Sequence, residues 1–390
     1  MKINFIGLLS LLLLAHFSIK AQQPFLIGNI KNEITGQPIA QSSLIIVKKQ
    51  IGTVSNAEGK FILQYADIKD SDSIRISCIG YQTRILPVSS VKSKPNLDIY
   101  LKPIVVELSE ITVRNVSVPE ILKNAIYKTD SLIPSEDNLS AYYKEFAYLD
   151  EKLYKYADAA VQYEIKNGDK KSKVKMRIVE SRIKKDSVTE ENKWKSDVET
   201  LISPDKALKD YYSLKYLYKF VHPKQIQKYT YKIQSSGDIS KISVDPKPEI
   251  HQYLPNAIIY INTLTNRIIQ VEYGYITHLK YMPKINLIFI AYSCEKDHMI
   301  GVYSDGDVPF LRYCKVQQNI RFKLGNKKGL LGSVAEILVH NNNEPQQLEK
   351  ESDLYKKSNI FENGNHFSNE FWYKYNTILP TSEELRMLSL

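Results

Sequence analysis

Between Phe25 and Val113 apolar side chains recur at every second position, in short runs broken by turn residues. Ile74, Ile76 and Cys78 alternate with Ser73, Arg75 and Ser77, and Leu97, Ile99 and Leu101 alternate with Asp98, Tyr100 and Lys102. Phe61, Leu63 and Tyr65 fall on one face. Successive strand side chains point to opposite faces, so each run buries one side and wets the other. The runs are separated by Thr35-Gly36-Gln37-Pro38, Asn56-Ala57-Glu58-Gly59 and Gly80-Tyr81. Gly36 and Gly59 are suited to positive φ in such turns, and Pro38 fixes the chain as it enters the next strand. Short strands with turns at regular intervals predict an all-β sandwich of seven or eight strands.

These residues carry a family likeness. The order Gly28, then Thr35-Gly36-Gln37-Pro38-Ile39, then Gly52-Thr53-Val54-Ser55-Asn56-Ala57-Glu58-Gly59-Lys60-Phe61, then Ile79-Gly80-Tyr81 resembles the carboxypeptidase regulatory-like family. The closing Leu108-Ser109-Glu110-Ile111-Thr112-Val113 is similar to the strand that follows this domain in many TonB-dependent outer-membrane transporters. The resemblance implies a transthyretin-like β-sandwich without catalytic residues, of a kind appended to transporters, peptidases and other envelope domains. The chain that follows is too short for a transporter's plug and large barrel. It also lacks the zinc-ligand motifs of the peptidases.

Ahead of the sandwich, Lys2, an apolar run from Ile6 through Leu14 and the exit Ala21-Gln22 predict an export signal cleaved after Ala21. The apolar run is about half the roughly 18–20 residues needed to cross a bilayer. No cysteine near the cut favours a lipid anchor, and no later segment is long and apolar enough for a membrane-spanning helix. The expected location is therefore the periplasm or the outer-membrane surface. Losing Lys2 and Lys20 with the signal takes the net charge from +10 to +8. That excess reads as attraction to anionic surfaces or as plain solubility. Its lysines gather at Lys166 to Lys175, Lys184-Lys185 and Lys323 to Lys328, which read as loop tips and turns. An exported chain without a basic helix or a recognition motif excludes nucleic acid as a partner.

The expected organisation is a signal over 1–21, the sandwich over 22–113 and a β-rich α+β domain over 114–390. Ser117 to Leu132 predicts a helix with Ser117 as its cap, Pro119 in the first turn and Pro134 as its stop. Tyr142, Tyr143, Tyr148, Tyr154, Tyr156 and Tyr163 then punctuate long alternating segments. They read as strand residues that pack the ring and wet the hydroxyl, or as a carbohydrate-binding platform. Ser203 to Phe220 predicts a second helix capped by Ser203, and Tyr229 to Ile233 a strand. A hairpin follows over Ala257 to Ile261 and Arg267 to Tyr273, with further strands near Ile285 to Tyr292, Leu311 to Phe322 and Ser333 to Val339. The fold class is mainly β: a transthyretin/Ig-like sandwich followed by an α+β domain whose large antiparallel sheet, a half-barrel in one reading, curves over a helix.

The hairpin is similar to the repeated element of outer-membrane lipoprotein-carrier-type half-barrels. That likeness implies a concave side able to hold an acyl chain. Ile285, Leu287 and Phe289 are its candidate lining, and a strand buried on both faces is the alternative. In the tail, Phe371, Trp372 and Tyr375 read as core packing or as a partner-docking stripe, and Thr381 to Leu388 as a short helix. The tail resembles the ending of envelope proteins that pair this front domain with a β-rich back domain.

The chemistry-bearing residues form no familiar constellation. Cys78, Cys294 and Cys314 lack the spacing of a metal knuckle or redox pair. Cys294 and Cys314 have two readings, bridged across neighbouring strands or free, and Cys78 reads as a small buried hydrophobe. His222, His251, His278, His298, His340 and His366 form neither H-E-x-x-H nor H-x-x-E, and His366 with Glu370 lacks metal-site context. Asp305-Gly306-Asp307 reads as a turn, too short for an EF-hand calcium loop. There is no nucleophile elbow, S-x-x-K, phosphate loop or dinucleotide fingerprint. The sequence thus predicts a non-enzymatic envelope protein without cofactor or metal. Its partner would be an envelope protein, a glycan or a lipid; the alternative is a periplasmic carrier of a hydrophobic ligand.

Overall fold

The computed structural model describes residues 25–49, 51–64, 68–92, 94, 96–104, 117–168, 172–185, 202–282, 285–286, 290–304, 308–340, 355, 360–362 and 368–388. Residues 1–24, Tyr65, the closing Leu108 to Val113, Asp305 to Asp307 and His366 lie outside them.

Seven strands build the front unit: β1 (Phe25–Asn32), β2 (Ser43–Ile46), β3 (Ile51–Val54), β4 (Lys60–Gln64), β5 (Ser73–Ser77), β6 (Arg84–Pro87) and β7 (Leu97–Leu101). They form two sheets, β4-β1-β7 and β3-β2-β5-β6, with β1 and β7 parallel. The alternating residues meet between the sheets, where Leu26, Ile30, Phe61, Leu63, Ile74, Ile76 and Ile99 are buried. A Cβ at Gly28 would strike the Leu97 carbonyl, so β1 needs a glycine where β7 pairs with it. Gly59 closes its turn at φ +73°, as the sequence predicts.

The back unit opens with α1 (Val118–Asp130), which buries Leu122, Ala125 and Ile126. Ser117 holds the cap position, but its side chain makes no capping bond; its carbonyl accepts Glu120 N at 2.9 Å. Three long strands follow: β8 (Glu136–Leu149), β9 (Lys152–Asn167) and β10 (Ser172–Lys185). After α2 (Lys206–Tyr211) come β11 (Tyr229–Ser236), β12 (Ile239–Pro246), β13 (Asn256–Asn262) and β14 (Arg267–Gly274). The series continues with β15 (Ile285–Asn286), β16 (Ile290–Tyr303), β17 (Leu311–Leu324) and β18 (Lys327–His340). Their order is β10-β9-β8-β18-β17-β16-β14-β13-β12-β11, with every pairing antiparallel and β15 folded onto β16. Among the described residues the edges β10 and β11 do not pair, so the sheet is open.

Two expectations are corrected, and one pair of alternatives is resolved. The helix foreseen over Ser203 to Phe220 is divided: α2 ends at Tyr211, Ser213 is extended, and Leu214–Phe220 is a 3-10 helix. Leu214, Leu217 and Phe220 recur every third residue, the period of that tighter helix, and all three are buried. Ile285 to Tyr292 is not one strand, because Ile285 pairs with Tyr292 and Asn286 with Ala291 across a reversal. Leu287 and Phe289 lie outside the described residues, and nothing is described of the Ile285 side chain. Cys294 and Cys314 are both free: Cys294 faces Ile320 while Cys314 faces Gly301, far along the same strand pair.

Both faces of the central strands are covered. On one side α1, α2 and the 3-10 helix bury Ala141, Tyr143, Val271 and Ile337. On the other side lie the front sandwich and the tail, whose helices are α3 (Asn369–Lys374) and α4 (Ser382–Leu388). Val54 of the sandwich packs there with Tyr142, Tyr313, Leu338, Trp372 and Ile378. Hence β18 is buried without alternation from Leu331 to His340.

Polar contacts fix the same junction. Gln64 N donates to Asn376 Oδ1 at 2.8 Å, Thr53 Oγ1 to the Thr377 carbonyl at 3.0 Å and Ser382 N to Glu58 Oε1 at 2.8 Å. Thr381 and Glu384 cap α4 reciprocally: Thr381 N donates to Glu384 Oε2 at 2.9 Å, and Glu384 N to Thr381 Oγ1 at 3.3 Å. Beneath the cap, Lys144 is 1% exposed and its ammonium meets Glu336 at 2.8 Å and Glu384 at 3.4 Å. Tyr313 donates to the other Glu336 oxygen at 2.5 Å. Burial opposes charge on Glu336, but Lys144 overrides it and holds the carboxyl down at about 2. At the more distant Glu384 burial prevails and the pKa rises.

Removing Lys144 strands two buried carboxylates and loosens α4. Lys144→Ala is expected to cost about 3–5 kcal/mol of stability, read as a lower urea midpoint at an unchanged denaturant slope.

Candidate functional site

Where the sandwich meets the sheet, a cleft of about 560 Å³ remains open. The strand pattern explains its walls. In β5 Ile74 and Ile76 point into the sandwich core, so Arg75 between them points outward, into the cleft. In β2 Ser43 does the same; it is 8% exposed, and its hydroxyl has no hydrogen-bond partner.

The sheet wall is shaped by two irregularities. Tyr260 pairs with Gln270 and Ile261 with Ile268, which leaves Ile269 as an extra residue in β14. Val302 pairs with Tyr313 and Tyr303 with Leu311, which leaves Arg312 as an extra residue in β17. Such bulges re-aim a side chain relative to its regular alternation. Both Ile269 and Arg312 line the cleft. Val302 and Ile239 add apolar surface, and Asp238 stands on the β11–β12 turn.

Arg312 is 4% exposed, with its guanidinium carbon 5.1 Å from the Phe310 ring centroid. Burial pushes its pKa down to about 10, and the charge of Arg75 adds to the effect. The two guanidinium groups thus share one field. Among the described residues no carboxylate ion-pairs with Arg75. A forked, permanently charged donor suits a carboxylate or a phosphate.

The sequence-predicted residues are elsewhere. Phe371, Trp372 and Tyr375 come together beside the cleft, in the junction itself. Phe371 stacks on Tyr375 with centroids 5.0 Å apart, and Trp372 meets Tyr142 edge-on at 6.3 Å. Arg182 lies 4.0 Å over the Trp372 ring, and Trp372 is buried. Tyr142 and Tyr156 turn their hydroxyls inward to Asp158, at 3.0 and 3.3 Å, and so are packed. His278 bonds the Ile250 carbonyl at 2.7 Å, and His340 lies edge-on to Tyr375 at 5.0 Å. Burial raises the pKa of all three thiols, the reverse of an activated nucleophile.

Sequence reasoning passed over Arg75 and Arg312. Arg75 sat in plain alternation as one more wetted residue. Arg312 carried a signal, since it is a lone charge inside Phe310-Leu311-Arg312-Tyr313-Cys314.

Comparison with known proteins agrees with the front unit: residues 26–113 match the CarboxypepD_reg-like domain. No curated protein matches the sequence. Among solved structures, the chain is similar to a LolA superfamily protein from Nitrosomonas europaea at 11% identity and a TM-score of 0.21, covering 59% of this chain and 97% of that one. It is also similar to a DUF1329 family protein from Desulfovibrio piger at 8% identity and a TM-score of 0.22, covering 60% and 100%. A Bacteroides fragilis protein of unknown function matches at 10% identity and a TM-score of 0.17, covering 82% and 97%. At these TM-scores the superpositions carry no argument.

The junction is sensitive to acid through His340, whose pKa burial lowers from 6.5 to about 4. The unfolded chain then takes up the proton first, so folded-state stability falls as pH drops from about 6.5 to about 4. The loss should reach on the order of 3 kcal/mol, measured as urea midpoints across that range. It should be absent from His340→Gln.

Proposed function

We propose that this is an exported, non-catalytic binding protein of the cell envelope, with its ligand held in the cleft between sandwich and sheet. One observation carries the reading: a 560 Å³ cleft with an arginine from each wall, formed only where the two units meet. Its volume falls within the roughly 300–1,000 Å³ of small-molecule sites. Export rests on the leader pattern of Lys2, Ile6 to Leu14 and Ala21-Gln22. Among the described residues, no helix is long and apolar enough to cross a membrane.

A carrier with its ligand on the concave side is the second reading. Against it stands the content of that side, where Leu122, Ile126, Leu208, Leu217 and Phe220 pack against Ile242, Ile259 and Val271. These side chains occupy the space an acyl chain would need. The sandwich on the opposite face is better placed to build a ligand site.

Native mass spectrometry of the protein taken from its own cell envelope tests the proposal. A small-molecule adduct is expected on the wild type and not on Gln270→Trp, which fills the cleft from β14. A bare wild-type protein, or an equal adduct on both, would contradict it.

A further inference from the structure

The large sheet ends in two unlike edges. At β10, Tyr355 N donates to the Met176 carbonyl at 2.7 Å, so a later part of the chain already bonds that edge. At the other end β11 pairs along its whole length with β12, and among the described residues nothing pairs with its outer side. Alternate N–H and C=O groups of such a strand point outward and form a template for one more strand. The two faces of this edge differ. Tyr231 and Ile233 pack on the core that α1 covers and are half-buried. Thr230, Lys232 and Gln234 point the other way and are exposed. Lys241 stands opposite Gln234 and so shares a face with Lys232, while Lys247 N donates to the Lys228 carbonyl just before the strand. Among the described residues none of these four lysines forms an ion pair. Asp245, opposite Thr230, is the one carboxylate on this face of the strand pair, and it accepts from Asn256 Nδ2 at 2.6 Å. A second copy of the chain is a poor match, because antiparallel self-pairing sets lysine-bearing faces side by side. Charge complementarity favours an acidic strand.

We propose that β11 docks an extended acidic segment of another envelope protein, which adds to the sheet as a further strand. Its main chain bonds the outer side of β11, and its alternate apolar side chains extend the face of Tyr231 and Ile233. Its carboxylates lie on the face of Lys232 and Lys241. Lysine on an edge deters neutral and basic strands from pairing. Here it selects the charge of the partner without closing the edge. This inference concerns a surface other than the cleft and does not rest on the ligand proposed for it.

Calorimetric titration of the mature chain with three octapeptides tests it: alternating Glu and Val, alternating Lys and Val, and the Glu/Val peptide N-methylated at every residue. The Glu/Val peptide should bind at least about tenfold tighter than the Lys/Val one, and the N-methylated form, which has no N–H to donate, should not bind. Lys232 is exposed, so Lys232→Glu should weaken the Glu/Val peptide about tenfold and leave the urea midpoint unchanged. In hydrogen exchange, the alternate amides of β11 that point outward should be fast in the free chain and slow with the Glu/Val peptide bound. No binding, equal binding of the three peptides, or Glu/Val binding untouched by Lys232→Glu would overturn the proposal. So would outward β11 amides already slow in the free chain, which would assign the edge to a second copy or to the chain's own residues.

Discussion

Lys144 is fully buried in β8 with its ammonium divided between Glu336 on the neighbouring strand and Glu384 in the last helix. A charge so buried is tolerable only when paired and hydrogen-bonded. The pairing therefore requires α4 to lie on the sheet, and α4 in turn requires the preceding tail to cross β8, β9 and β18. That tail is what the sandwich binds, through Thr53, Asn56, Glu58 and Gln64. The location of the front unit, and the cleft beneath it, follow from this one buried charge cluster.

The same arrangement explains the composition of the central strands. With helices on one face and the sandwich and tail on the other, β8 and β18 have no wetted side. Tyr142 and Tyr143 of β8, and Tyr313 of the adjoining β17, are fully buried, so each hydroxyl needs an internal acceptor. Tyr142 uses Asp158, Tyr143 uses Glu145 and Tyr313 uses Glu336. These carboxylates are thus structural partners of tyrosines as much as of cations.

Legibility in the sequence followed local physics. Ile74, Ile76, Leu97 and Ile99 announced the sandwich because alternation depends on neighbours alone, and Gly59 announced its turn because φ is a property of one residue. The hairpin of β13 and β14 was equally plain. What lay beyond reach depended on long-range pairing. The reversal at Ile285 is set by β16, and the two-sided burial of β18 by a tail over twenty residues downstream. The cleft was hidden for the same reason, since Arg75 and Arg312 meet only when the two units dock. Thr381-Ser382-Glu383-Glu384 was a readable capping box that went unread, and with it the acid that reaches Lys144.

Hydrogen exchange at the amides of Gln64 and Ser382 tests this account most directly. These two N–H groups are buttressed across the junction by Asn376 and Glu58. If the buried lysine fixes the tail and the tail fixes the sandwich, both should exchange as slowly as amides within β8, and both should speed up together in Lys144→Ala. Fast exchange in the wild type, typical of a unit hung on a loose linker, would contradict it.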